Sequence, residues 1–178
     1  MRYADDFVLM FQYESEAHEA MELLKARLGK FGLEVAEDKT RILPMGRFTG
    51  TKEDFDFLGF TFFNAKTRQG KYRVGVRTSK KKLKAKKQAA KLWLRGRLTK
   101  PVSETLKHIA ASLRGHINYY GVNGNFRWIR NFWKYVQYEC YRMLNRRDQK
   151  GKFPMDKFYR TWNFYIKEPH LAVEIWYC

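Results

Sequence analysis

Cysteine is scarce in this sequence, and long hydrophobic runs are missing. Only two cysteines occur among 178 residues, Cys140 and Cys178, and neither has the spacing of a zinc site or a disulfide framework. A reducing compartment is the natural expectation for such a chain. No apolar run approaches the length of a membrane span, and the first residues do not resemble a signal peptide. We therefore expect a cytoplasmic protein that has no membrane partner.

Acidic residues are also missing from a long central segment. Between Phe57 and Ser103 there is no Asp or Glu, whereas 15 Lys or Arg residues occur there. The whole chain has 36 Lys and Arg against 18 Asp and Glu, which gives a formal net charge of +18. Because like charges repel one another in a compact fold, this excess indicates an anionic partner. Nucleic acid is the leading candidate, since Lys and Arg that neutralise phosphates release counterions.

The hydrophobic pattern predicts an α+β fold with two parts. Hydrophobic residues make up 44% of the chain and aromatic residues 17%, which indicates a folded protein. Alternation predicts a short antiparallel sheet with strands over 7–11, 33–36, 55–63 and 72–77. One helix is predicted over 15–31, ending at Gly32. From residue 79 onwards the pattern is helical, with helices predicted over 79–95, 102–120, 126–147 and 155–165.

Two adjacent aspartates near the start carry the first chemical signal. Tyr3-Ala4-Asp5-Asp6 precedes the apolar run Phe7–Phe11, so a tight turn beside a strand is expected there. Phosphoryl transfer to a growing strand uses two divalent cations about 3.5–4 Å apart, held by carboxylate oxygens. Paired aspartates at a turn could present such oxygens, although Asp also favours ordinary solvated turns. From these residues alone, a metal-binding turn and a solvated turn both remain open.

Four segments resemble one known family, and together they cover nearly the whole chain. Tyr3-Ala4-Asp5-Asp6 resembles the catalytic motif of reverse transcriptases. Residues 32–40 are similar to the segment that follows this motif in intron-encoded enzymes, and Phe57-Leu58-Gly59-Phe60 resembles the primer-grip hairpin. Residues 113–121, with the aromatic and basic helix after them, resemble the maturase region (thumb, or domain X) of group II intron proteins.

The resemblance implies roles for particular residues of the first part. Asp5 and Asp6 would be catalytic metal ligands for Mg²⁺, and Lys39 would act as an acid or electrostatic clamp near the incoming nucleotide. The residues of the primer grip and template contact would be Tyr3, Phe57, Leu58 and Gly59. Core packing is the expected role of the Phe57 ring itself. Residues 1–77 would then be the C-terminal part of a polymerase palm, including the primer-grip hairpin.

For the second part, residues 78–178, the resemblance implies an all-helical thumb or maturase domain that binds RNA. The expected partners are group II intron RNA and an RNA/DNA duplex. A run of lysines could also be only a solvated helix face, but no acid balances this one over 47 residues. The residues predicted to bind RNA are Lys80, Lys81, Lys82, Lys84, Lys87, Lys91, Arg95, Arg97, Arg114, Arg127, Arg130 and Lys134.

The sequence departs from the family in one large respect. Family enzymes carry another metal-binding aspartate and the fingers upstream of the tyrosine–aspartate turn, and this sequence begins after both. We therefore expect little or no polymerase activity from the chain alone. It could be a fragment, one half of an enzyme completed by a second chain with the fingers and upstream palm, or an RNA-binding splicing factor with vestigial polymerase residues. A retron-like reverse transcriptase lineage and a basic nucleic-acid-binding module without catalytic ancestry are further alternatives.

Overall fold

A computed structural model describes residues 2–147 and 153–173 of the chain. These residues form a mixed α+β fold with two small antiparallel sheets and five helices, which confirms the predicted fold class. The strands are β1 (Arg2–Tyr3), β2 (Asp6–Phe7), β3 (Asp54–Phe57), β4 (Phe60–Lys66) and β5 (Tyr72–Thr78). The helices are α1 (Glu14–Gly29), α2 (Lys80–Arg95), α3 (Val102–Tyr120), α4 (Phe126–Arg147) and α5 (Met155–Tyr165).

The chain forms two compact units. The first, which we call the sheet unit, comprises Met1–Phe57 and Phe63–Val74. The second, the helical unit, comprises Leu58–Phe62 and Gly75–Cys178. The functional division into residues 1–77 and 78–178 stays a prediction.

Of the strands predicted before residue 50, one is wrong in extent and the other is absent. The strand predicted over 7–11 is limited to β2, because its partner β1 offers only two residues for pairing. Residues 33–36 do not form a strand in the described part of the chain, although their polarity alternates. Alternation alone cannot make a strand, because the backbone of a strand needs a neighbouring strand for its hydrogen bonds.

Helix α1 confirms the prediction over 15–31 to within two residues. Gly32 ends it in the left-handed conformation, at a φ of +67°. The Gly32 amide donates to the Gly29 carbonyl at 3.1 Å, and the Leu33 amide donates to the Leu28 carbonyl at 3.1 Å. This pair of bonds is the Schellman motif, which satisfies carbonyls that the helix end would leave without a partner.

The second sheet has the strand order β3-β4-β5. The single strand predicted over 55–63 is wrong, because Leu58 and Gly59 form a two-residue turn that separates β3 from β4. Both turn residues have positive φ, +50° at Leu58 and +79° at Gly59. Two positive values are typical of the type I′ turn, whose twist suits adjacent antiparallel strands. The predicted turn around Gly70 is confirmed between β4 and β5.

The core of the helical unit lies among α2, α3, α4 and α5. Its buried side chains include Leu83 and Leu94 of α2, Leu106 of α3, Phe132 of α4 and Trp162 of α5. The four predicted helices match these elements closely at both ends, because their apolar spacing places one face of each helix on a shared core. No helix in residues 2–147 and 153–173 is long and apolar enough to cross a membrane.

Candidate nucleic-acid interface and aspartate turn

Asp5 and Asp6 lie together on the hairpin formed by β1 and β2. Ala4 and Asp5 make the two-residue turn, and Tyr3 pairs directly with Asp6 across the hairpin. Ala4 adopts a φ of +53°, and the Arg2 guanidinium donates to its carbonyl at 2.9 Å. Both carboxylates are exposed, so a ligand could reach them from solvent.

The chemistry of this turn suits a hard cation, but the ligand set is incomplete. Mg²⁺ prefers carboxylate oxygens and often uses only one or two of them, together with water and substrate phosphates. Asp5 and Asp6 are such donors and would hold the ion. Within residues 2–147 and 153–173, no group of three or more His, Cys, Asp or Glu side chains is placed to bind a metal. The turn therefore provides two carboxylates, whereas a two-metal centre needs further ligands.

Lys39 lies apart from the aspartate hairpin along the chain. It ends a turn over residues 37–39, where its amide donates to the Ala36 carbonyl at 3.0 Å. Its side chain is exposed, as are those of Asp5 and Asp6. The three predicted catalytic residues thus occupy two separate surface turns of the sheet unit.

The turn at Leu58 and Gly59 is fixed by two adjacent tyrosines of α3. The Tyr119 hydroxyl donates to the Leu58 carbonyl at 2.8 Å, and the Phe60 and Tyr119 rings are stacked with centroids 5.9 Å apart. A Cβ atom added at Gly59 would lie 2.7 Å from the Tyr120 hydroxyl oxygen. Glycine therefore suits this position, both for its positive φ and because a Cβ atom would force the Tyr120 hydroxyl to move.

Neighbouring contacts extend this anchoring within the helical unit. The Ser79 amide donates to the Gly59 carbonyl at 2.9 Å, immediately before α2 begins. The buried amide of Asn125 accepts from the Thr78 amide at 2.6 Å and donates to the Tyr120 carbonyl at 2.8 Å. These bonds hold the end of β5 to the loop between α3 and α4. The sequence pattern identified the Tyr119-Tyr120 pair but not this role, which depends on contacts distant in sequence.

Five cations form one stripe along α2. Because an α-helix turns by about 100° per residue, the spacing of four, three, four and four residues keeps these side chains within about one quarter of the helix circumference. They line a groove of about 650 Å³ whose remaining lining comes from Leu83, Gln88, Leu92, Trp128 and Tyr135. We call this the basic groove, and its cations are Lys80, Lys84, Lys87, Lys91 and Arg95.

Lys87 occupies a fixed position at the centre of the stripe. Its ammonium donates to the Asn131 side-chain oxygen at 2.6 Å and lies 5.0 Å from the centre of the Tyr135 ring. Both partners belong to α4, which packs against α2. None of the described residues that line the groove is acidic. The five cations are thus available to an anionic ligand, apart from the local bonds of Lys87.

The other residues predicted to bind RNA are distributed over different surfaces. Arg97 is committed to a local contact, because its guanidinium pairs with Glu104 at 3.3 Å and lies 4.6 Å from the centre of the Trp93 ring. The remaining six are exposed but do not line the basic groove: Lys81 and Lys82 on α2, Arg114 on α3, and Arg127, Arg130 and Lys134 on α4.

Lys86 and His116 show that some basic residues of the sequence are partly or fully buried and do not add to the basic surface. Lys86 lies half-buried, 6.0 Å from the Tyr120 ring centre and 5.7 Å from that of Phe132. Burial lowers its pKa. His116 is buried between the same two rings, and burial, with a smaller contribution from the Lys86 charge, lowers its pKa to about 3. Both groups belong to the interior of the helical unit.

With this geometry established, comparison with known proteins finds a similarity in the first third of the chain. Residues 1–62 match the family model described as reverse transcriptase (RNA-dependent DNA polymerase). A search of curated proteins and a search of solved structures found no match to the chain.

The reverse transcriptase match contains every residue predicted for catalysis, metal binding or the primer grip. These are Tyr3, Asp5, Asp6, Lys39, Phe57, Leu58 and Gly59. The residues predicted to bind RNA all lie beyond residue 62, so the reverse transcriptase match does not include them. The match thus supports a function related to reverse transcription, and the basic groove is a second surface outside the matched residues.

Proposed function

We propose that the chain is the C-terminal portion of a group II intron reverse transcriptase and maturase, which binds intron RNA to assist splicing. When a second polypeptide supplies the fingers and upstream palm, it would take part in RNA-templated DNA synthesis. The observation that carries the proposal is the Tyr3-Ala4-Asp5-Asp6 hairpin inside the segment that matches the reverse transcriptase family. The basic helical unit supports the RNA-binding part, since the described lining of its groove contains five cations and no acid.

Each site has a distinct task in this proposal. Bound Mg²⁺ would neutralise charge that develops on the transferred phosphate. Asp5 and Asp6 would hold it, and the exposed Lys39 ammonium would offer a further positive charge to a nucleotide phosphate. The turn at Leu58 and Gly59, held rigidly by Tyr119 and Tyr120, would support the primer. Neither task requires the basic groove, which would bind RNA independently.

The RNA-binding part is tested by comparing two RNAs on the full chain. One is a group II intron RNA, and the other is an unrelated structured RNA of the same length. Because both carry the same phosphate charge, a difference reports recognition rather than general attraction. We expect intron RNA to bind at least about tenfold more tightly at physiological salt. Equal affinities would contradict the assignment to intron RNA.

The polymerase part is tested by primer extension in the presence of Mg²⁺. The chain alone should give no synthesis above background, and a complementary chain with the fingers and upstream palm should restore it. Asp5→Asn should abolish the restored synthesis, since it removes one carboxylate ligand while nearly preserving side-chain shape. Robust synthesis by the chain alone would contradict the proposal, as would restored synthesis that survives Asp5→Asn.

A further inference from the structure

We propose that the basic groove binds an unpaired nucleic-acid strand, with the phosphates along the α2 stripe and one or two bases stacked on aromatic rings of α4. This inference rests on the proposed function only in taking nucleic acid as the partner. It adds a particular site, its ligand class and the residues that select that class.

The length of the stripe fits a short strand. From Lys80 to Arg95 the helix advances by about 22 Å, since an α-helix rises about 1.5 Å per residue. A stacked strand places one phosphate about every 3.4 Å, so the stripe would accompany roughly six nucleotides. Five cations over this distance can contact most phosphates of such a strand. The five cations contact the strand from one side only, because all of them belong to one face of one helix.

The aromatic rings favour an unpaired strand over a duplex. Trp128 and Tyr135 line the groove opposite the cations, and both are half-buried, so that each ring has an accessible part. Bases in a duplex are already stacked on their neighbours and could use these rings only by unstacking. Unpaired bases have free faces, and stacking on an aromatic side chain stabilises each bound base. The rings therefore offer a contact that a duplex cannot use without cost.

Lys87 organises the centre of this site. Asn131 and the Tyr135 ring hold its ammonium, so the charge is in place before a ligand arrives. A fixed cation loses less conformational entropy on binding than a free lysine does. The Leu83 and Leu92 side chains provide an apolar lining beside it, suited to the faces and edges of bases rather than to phosphates.

The charge contribution can be tested with two double variants of equal net charge. Lys84→Glu with Lys91→Glu changes two members of the stripe. Lys100→Glu with Lys107→Glu changes two exposed lysines that do not line the groove. We measure binding of an eight-nucleotide oligo(U), an eight-nucleotide oligo(dT) and a duplex with the same number of phosphates to the full chain at several salt concentrations. The two single strands distinguish RNA from DNA as the natural ligand.

The groove variant should bind both single strands at least about tenfold more weakly. For this variant, the logarithm of the binding constant should depend less steeply on the logarithm of the salt concentration. The slope should be smaller in magnitude by about 1.4, because each phosphate contact on a single strand contributes about 0.7. The matched variant outside the groove should keep both values close to those of the unchanged chain. Equal losses in the two variants would overturn the inference, because they would show general attraction to a positive protein.

The stacking contribution is tested by Trp128→Leu and Trp128→Phe. Removing the ring should weaken single-strand binding roughly 5- to 150-fold, whereas phenylalanine should retain most of the affinity. Oligonucleotide binding should also quench tryptophan fluorescence, and this quenching should largely disappear in Trp128→Phe. Because Trp128 also packs against the core, Tyr135→Leu provides a second ring deletion, and urea unfolding confirms that each variant is folded.

Three results would overturn the site: tighter binding of the duplex than of the single strands, affinity that is unaffected by both ring deletions, or equally tight binding of poly-glutamate. The last would indicate an acidic protein as the ligand. Intron RNA is measured with the same protein preparations. If intron RNA binds but the oligonucleotides do not, the groove inference fails while the proposed function stands.

Discussion

The sheet unit and the helical unit differ sharply in how they bury their hydrophobic residues. In the sheet unit Phe57 is the one described hydrophobic residue that is buried, and α1 has no buried residue. The helical unit has 17 such residues among those described. Yet ten large hydrophobic side chains are exposed among the described residues of the sheet unit, including Met10 and Phe48.

The unit with the large buried core is therefore not the unit that carries the aspartate turn. The helical unit has a core of its own that can hold the basic groove in a defined shape. The sheet unit carries the residues predicted to bind metal on a two-stranded hairpin, and an isolated hairpin is marginally stable in water. A partner chain that covers its exposed apolar side chains would stabilise it, which agrees with the proposed requirement for a complementary polypeptide.

The largest expected effect is a contrast between two leucine substitutions in helices. Leu106→Ala removes a buried side chain of α3 and should lower the free energy of unfolding of the helical unit by about 2–5 kcal/mol. Leu23→Ala affects an exposed side chain of α1 and should cost less than about 0.5 kcal/mol. Urea unfolding followed by circular dichroism measures both. Similar costs would show that the two helices are equally buried in solution.

The second prediction concerns the buried amide of Asn125. Asn125→Ala leaves the Thr78 amide and the Tyr120 carbonyl without their present partners, which should cost about 1–3 kcal/mol in the free energy of unfolding. Asn118→Ala, at an exposed position of α3, is the matched control and should change stability by less than about 0.5 kcal/mol. If Asn125→Ala lowered the free energy of unfolding no more than the control does, water would be replacing the lost hydrogen bonds.

The third prediction is an acid sensitivity that belongs to the helical unit. The pKa of His116 is about 3 in the folded protein, against an ordinary value of 6.5, because its ring is buried. Between these values the unfolded chain binds a proton that the folded chain does not. Stability is therefore highest above pH 6.5 and should fall by about 1.4 kcal/mol for each pH unit below it.

Replacing this histidine should remove most of that sensitivity. Neither ring nitrogen of His116 has a hydrogen-bond partner among the described residues, so His116→Phe preserves the ring contacts without losing a bond. Unfolding midpoints between pH 7 and pH 5 should then become nearly constant. The exposed His18→Gln is the control and should keep the slope of the unchanged chain. An equal slope in His116→Phe would assign the acid sensitivity to other groups.

The smallest expected effect concerns the turn at Leu58 and Gly59. Tyr119→Phe removes the hydroxyl that bonds to the Leu58 carbonyl, but it keeps the ring stacked on Phe60. Because the hydrogen bond is solvent-exposed, its loss should cost only about 0.5–1.5 kcal/mol. Amide hydrogen exchange across 57–60 should become faster, whereas exchange in α4 should not change. Unchanged exchange at 57–60 would mean that Tyr119 does not hold this turn.

The helices and strand β5 were predictable from the sequence, and the other strands were not. The apolar spacing of α3 and α4 indicates their buried faces, because both pack on the core of a single unit. The strand predicted over 33–36 failed because pairing depends on a neighbouring strand that local alternation does not reveal. The resemblance implied a hairpin at residues 57–60, but alternation did not reveal the turn at Leu58, because a positive φ at leucine depends on contacts with α3.

The candidate sites were predictable to a similar degree. The aspartate turn could be identified from four consecutive residues. For the basic segment the sequence shows the number of cations but not which ones share a surface. The shared surface depends on which face of α2 is exposed, and the buried Leu83 and Leu94 set this orientation. It also depends on the aromatic rings of α4 that lie opposite the stripe. Arg97 was predicted as an RNA ligand without the contact that engages it, since its partner Glu104 lies in the next helix.

The most direct test measures intron RNA binding by two double variants, one in each unit. Asp5→Asn with Asp6→Asn removes the carboxylates of the aspartate turn, and Lys84→Glu with Lys91→Glu alters the basic groove. The aspartate variant should have a dissociation constant within about twofold of that of the unchanged chain. The groove variant should have a dissociation constant at least about tenfold higher. Equal loss in both variants would contradict an RNA-binding surface that is independent of the polymerase residues.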